Sequence, residues 1–238
     1  TSMLQRFRPP EGEPISAKVL NKSIETAQKR IEQRNSSMRK HTLEYDDVMN
    51  KQRKEIYSFR NEILNSDDII SIAKDIVSNI CSSTINTYFS QKDADGLWNH
   101  EGLRDWLMTN YPVTFEKDVF LSEYLTIDQL EQTVAEKIFS VFDKKLEYQG
   151  QIIMHLSRGK ILEDKIKNVL NDVIRDLMIR KIDQLWQEHL LEIDHLRNDV
   201  GLRAVAQKDP LLEFKHEAFM LFHSFYENLS LEISKDLF

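Results

Sequence analysis

The chain has 238 residues, 41% of them hydrophobic, enough to bury at least one sizeable core and consistent with two packed units, which excludes disorder of the whole chain. Its 32 Lys and Arg against 39 Asp and Glu leave a net charge of -7 and give no electrostatic footprint for nucleic acid. Cys81 is the single cysteine, so an intrachain disulfide and a multi-cysteine zinc site are excluded, and it reads as a small buried apolar residue in a reducing compartment.

At the N-terminus, TSMLQRFRPPEGEP lacks the charged, apolar and cleavage regions of a signal peptide, and RPPEGEP at 8–14 reads as a linker. No run of roughly 18 uncharged apolar residues occurs, so the expectation is a soluble chain that can still dock on a membrane. Residues 15–66 contain neither Gly nor Pro, and one helix over that stretch spans roughly 75 Å. Apolar side chains recur at Leu20, Ile24, Ala27, Ile31, Met38, Tyr45, Met49, Ile56, Phe59 and Ile63, the spacing of a helix that lies along other helices. The stripe turns polar at Asn35, Thr42 and Gln52, less continuously apolar than a two-stranded coiled coil. A scaffold helix touched by different partners along its length is therefore expected.

Asn65, Ser66 and Asp67 read as a helix end and a new cap. An amphipathic helix follows over 67–89, then a turn and a short helix with Trp98 and Trp106. Thr126 and Gln129 form a capping box for a helix over 127–148. Gly150 and Gly159 are the next expected breaks, and the pattern is helical again from Lys160 to about Asn198. After a turn at 198–210, Asp209 as N-cap and Pro210 at the first helical position start the last helix. Its stripe of Leu211, Phe214, Ala218, Phe222, Phe225 and Leu229 faces Ile182, Leu185, Ile193 and Leu196, an αα-hairpin with an exposed tip.

Three carboxylates, Glu44, Asp46 and Asp47, crowd the middle of the first helix. Glu44 and Asp47 share a side while Asp46 points elsewhere, poor geometry for paired-carboxylate catalysis, and pairing of Glu44 and Asp47 with Lys40 or Lys51 accounts for them. Two aspartates are nevertheless poor residues for a helix interior, so something beyond local helix stability placed them there. Two Glu-x-x-His pairs, Glu192 with His195 and Glu213 with His216, are half the pattern of a di-iron site, but they flank or leave the buried stripes and are expected not to converge. No phosphate-binding loop, nucleophile elbow or H-E-x-x-H motif is present.

SSMRKHTLEYDDVMNKQRKEIY at 36–57 closely resembles the signature of the helical scaffold domain of the SecA family, the ATPase motors of bacterial preprotein export. LWQEHLLEIDHLRNDVGLRAVAQKDPLLEFKHEAFMLF at 185–222 resembles the family's second signature. The resemblance implies an all-α fold: a long scaffold helix plus a two-helix finger hairpin, with a small helical wing domain inserted. It divides the chain into a linker from an absent motor domain at 1–14, the scaffold helix at 15–66, the wing at 67–165, and the scaffold continuation with the finger at 166–238, tip about 198–209.

The implied function is that of a non-catalytic C-terminal part of a protein-export motor. It couples the ATPase domains to movement of preproteins through the SecY channel and restrains resting ATPase activity, whereas the full-length protein is a protein-secreting ATPase. Val200, Gly201, Leu202, Arg203, Ala204 and Val205 fall at the tip that contacts preprotein and channel, and Val205 stands where the family often carries a bulky aromatic. Tyr45, Asp46, Asp47, Gln52, Arg53, Trp186 and Arg197 take the motor-coupling and regulatory role, Asp46 and Asp47 being expected to meet donors of neighbouring domains. No catalytic residue, metal or cofactor is expected in these residues. ATP and Mg belong to the absent motor domains, and zinc to an absent C-terminal tail. Expected partners are the chain's own motor and preprotein-binding domains, the SecY channel complex, unfolded preproteins and, in the full-length form, a second copy. The implied location is cytoplasmic, partly peripheral at the inner face of the plasma membrane. The rivals are a standalone coiled-coil adaptor and, further off, a di-iron protein.

Overall fold

In the computed structural model, residues 18–91, 98–120, 126–158, 163–203 and 209–238 are described, and among them six α-helices and no strand make up an all-α fold. The linker, Gly159, Ala204 and Val205 lie outside the described residues. Helix α1, Lys18–Asn65, runs unbroken for 48 residues, about 72 Å. Its two halves differ sharply. Every described side chain from 21 to 43 is exposed, with Ile24, Ile31, Met38 and Leu43 all open to solvent. From Tyr45 onward the same stripe is covered, and Gln52, Ile56 and Ile63 are buried. Among the described residues, i,i+4 ties such as Lys29–Glu25 (2.8 Å) support the uncovered half, each worth about 0.3 kcal/mol.

The C-terminus of α1 is closed by a side chain remote in sequence. Arg175 donates from Nη2 to the Ser66 carbonyl (2.8 Å) and from Nε to the Ile63 carbonyl (3.3 Å), while Nη1 is held by Asp172. Carbonyls left without intrahelical partners thus meet a cation at the negative end of the helix dipole. Helix α2, Ile69–Ser90, buries Ile69, Ala73, Ile76, Val77, Cys81 and Ile85 at helical spacing. Helix α3, His100–Asn110, is capped by Asn99, whose Oδ1 accepts from the Gly102 N–H at 2.9 Å. Helix α4, Ile127–Leu156, opens on the expected capping box, with both reciprocal bonds of Thr126 and Gln129 formed. The expected break at Gly150 does not occur. That glycine is buried inside α4, where an added Cβ would stand 3.1 Å from Ile166 Cγ2, so it permits close helix packing instead of ending the helix.

Helix α5, Glu163–Arg203, and helix α6, Pro210–Asp236, form the hairpin, and Asp209 Oδ1 caps α6 by accepting from the Leu211 N–H at 2.9 Å. Phe214, Ala218, Phe222, Phe225 and Leu229 are buried against Ile182, Leu185, Ile193 and Leu196, as the two stripes predict, and Leu211 is half-buried. Each large apolar side chain so covered contributes about 2 kcal/mol. One continuous core joins the C-terminal half of α1, α2, α3 and the segment after it, α4, α5 and the end of α6. Tyr111 Oη and Ser234 Oγ meet inside it at 2.7 Å, Lys145 Nζ donates to the Leu237 carbonyl at 2.9 Å, and Phe238 packs edge-on to Tyr111.

Candidate functional site: the joint between the long helix and the hairpin

Two polar residues interrupt facing apolar stripes, Gln52 on α1 and His189 on α5, and they meet. The amide Nε2 of Gln52 donates to the backbone carbonyl of Ala218 on α6 (3.0 Å), which can only accept. Gln52 Oε1 is thereby turned toward His189 Nε2 at 3.0 Å, so this ring nitrogen must carry the proton and donate. The other nitrogen, Nδ1, is then bare, and it has no partner among the described residues. At 1% exposure the imidazole sits among Trp186 (5.3 Å between ring centroids), Phe225 (4.8 Å) and Phe222 (5.6 Å). Burial disfavours the charged ring and pulls its pKa down from 6.5 to about 4, so it is neutral near pH 7.

One to two turns toward the N-terminus of α1, Tyr45 stacks obliquely on Phe214 (4.7 Å), and the Arg197 guanidinium lies 5.6 Å from the centroid of the same tyrosine ring. Arg197 also faces Asp46 at 3.7 Å. Asp46 therefore has a donor within its own chain, where one from a neighbouring domain was expected. Asp47 pairs with Lys51 one turn along α1 at 2.8 Å, and that bond holds its carboxyl below the usual carboxylate range, helped by the charges of Lys51, Lys215 and Lys54. Eight residues beyond Gln52, Arg60 grips Asp183 through two bonds, Nε to Oδ1 at 2.9 Å and Nη2 to Oδ2 at 3.2 Å. Part-exposed as they are, such pairs are worth under about 1 kcal/mol each but set orientation.

Of the residues singled out from sequence, Tyr45, Asp46, Gln52, Trp186 and Arg197 gather at this joint, whereas Arg53 is exposed on α1. The expected turn does not begin at Asn198. Helix α5 continues to Arg203, and Val200, expected to contact the channel, is 1% exposed in a second cluster with Ile193, Leu196, Phe214 and Ala218, flanked by Tyr45 and Met49. Of residues 201–203 only the helical backbone is described. His189, Arg60 and Asp183 were missed. His189 falls in step with Ile182, Leu185, Ile193 and Leu196, and a histidine on an apolar stripe opposite a glutamine on another is the signal that could have found the pair.

Glu192, His195 and His216 are exposed and Glu213 is half-buried. Among the described residues no group of three or more His, Cys, Asp or Glu side chains could hold a metal ion. His189 and Cys81, at 1% and 2% exposure, are closed to a substrate arriving from solvent, and burial pushes the Cys81 thiol up to about 11. The arrangement ties α1 to both arms of the hairpin.

A family model described as the SecA wing and scaffold domain matches residues 14–238. Protein translocase subunits SecA of Chlamydia caviae and Chlamydia abortus are each 42% identical over 237 residues, and that of Chlamydia pneumoniae is 38% identical. Each alignment covers 100% of this chain and 24% of the relative, so the chain spans about a quarter of the length of the relatives it matches. With the matching family model running nearly end to end, the chain belongs to the SecA wing and scaffold domain family.

Proposed function

We propose that this chain is the non-catalytic scaffold and wing part of a SecA-type protein translocase, and that it couples ATPase domains elsewhere in the complete protein to movement of preproteins through the SecY channel. The observation that carries this reading is the meeting of two sequence signatures about 140 residues apart at one joint: Tyr45, Asp46 and Gln52 on the long helix against Arg197, His189 and Phe214 of the hairpin. A displacement of either helix there is passed to the other. The exposed stripe of Ile24, Ile31 and Met38 waits, on this reading, for the motor domains, which also receive the restraint on resting ATPase activity. Residues 67–165 form the wing, and the hairpin end from Gly201 to Val205 contacts preprotein and the channel mouth.

ATP and Mg belong to the motor domains and zinc to a further tail, and the complete protein works at the cytoplasmic face of the membrane, in one arrangement as a dimer. Among the described residues no helix is long and apolar enough to cross a membrane. The test uses the complete protein with Asp46→Asn and Arg197→Gln. ATP hydrolysis is expected to persist while preprotein uptake into inverted membrane vesicles falls several-fold. Hydrolysis and uptake that stay in wild-type proportion in both variants reject the coupling role.

A further inference from the structure

Among the described residues three ties between side chains join α1 to α5, beside the bond from Arg175 to the Ile63 carbonyl at the end of α1, and their spacing is informative. Asp46, Gln52 and Arg60 on α1 meet Arg197, His189 and Asp183 on α5. The steps are six and eight residues on α1 against eight and six on α5, so the ladder spans fourteen residues of each antiparallel helix, about 21 Å. A slide of one residue displaces every tie by about 1.5 Å. The middle tie is the strict one. The outer ion pairs are part-exposed and can exchange partners with water, but Gln52 is 5% and His189 1% exposed. Around them stand Trp186, Phe222 and Phe225, whose ring faces are far weaker acceptors for the imidazole N–H than the Gln52 oxygen. Gln52 also holds the α6 carbonyl of Ala218, so the same side chain fixes both arms of the hairpin. A buried polar residue on an otherwise apolar seam specifies register in helical assemblies because every other register strands it.

We infer that Gln52 and His189 form a register latch that makes the C-terminal half of α1 and the α5–α6 hairpin one rigid body, so that the hairpin moves only with α1 and does not piston along it. The consequence for a motor rests on the proposed function; the latch itself does not. Spin labels at the exposed positions Glu62 on α1 and His195 on α5, about 20 Å apart along the bundle from their places on the ladder, read the register directly. In the 238-residue chain, and in the complete protein with ATP analogue or ADP, one narrow distance is expected in every state. In Gln52→Leu, and in the double variant Gln52→Leu/His189→Leu, whose apolar joint leaves no imidazole unpaired, a second population shifted by about one turn, 5 Å, is expected. Circular dichroism checks that each variant stays helical. A wild-type distance that moves by a turn with nucleotide overturns the latch, as does a double variant that keeps the single wild-type distance. If the latch stands but the loosened variant still transports with wild-type coupling, the coupling role fails instead.

Discussion

Lowering the pH should loosen the joint at His189 by an amount that can be worked out. The folded protein holds this imidazole neutral, with its pKa drawn by burial from 6.5 to about 4, while the unfolded chain takes up the proton at the ordinary value. Its contribution to stability is therefore complete above pH 6.5 and lost progressively as the pH falls toward 4, because the unfolded state binds more protons in that window. Some 2.5 pH units at about 1.36 kcal/mol each give a loss of about 3 kcal/mol. Lys51 and Glu55 on α1 and Lys215, His223 and Tyr226 on α6 line the groove beside Gln52, but desolvation is the cause of the shift. Urea unfolding followed by circular dichroism at pH 7, 6, 5 and 4.5 measures it, with Gln52→Leu/His189→Leu as the reference for all other titrating groups. The wild-type midpoint is expected to fall by about 1 M more than the reference between pH 7 and 4.5. Equal slopes for the two proteins would show that burial does not hold His189 neutral below pH 6.5.

Phe214→Ala empties a fully buried site under Tyr45 and should cost about 3–5 kcal/mol in chemical unfolding, whereas Leu212→Ala, two-thirds exposed on the neighbouring face, should stay within about 0.5 kcal/mol. Arg175→Leu strips the partners from the Ile63 and Ser66 carbonyls; a destabilisation of about 1–3 kcal/mol is expected, with faster amide exchange confined to the last turn of α1. Gly150→Val forces a branched side chain toward Ile166 and should lower stability by about 1–3 kcal/mol, while a rise in melting temperature would mean that α4 and α5 are less closely packed than described. Cys81 should resist alkylation at pH 8 in the folded chain and react on unfolding, because its thiol is 2% exposed and titrates near 11; rapid labelling of native protein would contradict both.

The helices and most of their faces were legible in the sequence because both are local. The absence of Gly and Pro between 15 and 66, the Thr126 capping box and the Asp209–Pro210 start each act within one turn. The stripes of α5 and α6 follow from 3.6-residue periodicity and are buried where that periodicity puts them. Gly150 misled because a glycine can serve a turn or a close helix approach, and only the position of Ile166, sixteen residues away, selects between them. Helix α5 runs past the expected start of the turn for a related reason: residues 198–203 carry no helix breaker except Gly201, and burial of Val200 in a cluster with Phe214 and Tyr45 favours continuing the helix.

What sequence by itself determined, then, is which residues are helical, which faces are apolar, and that α1 carries polar interruptions needing an explanation. Only the tertiary structure decided which half of α1 is covered by this chain and which carboxylates Arg60 and Arg197 meet. It also showed that Gln52 completes a three-helix hydrogen-bond chain with His189 and Ala218. Periodicity specifies the side of a helix a residue occupies, but the register between helices distant in the chain is set by side chains that must find each other once both are buried.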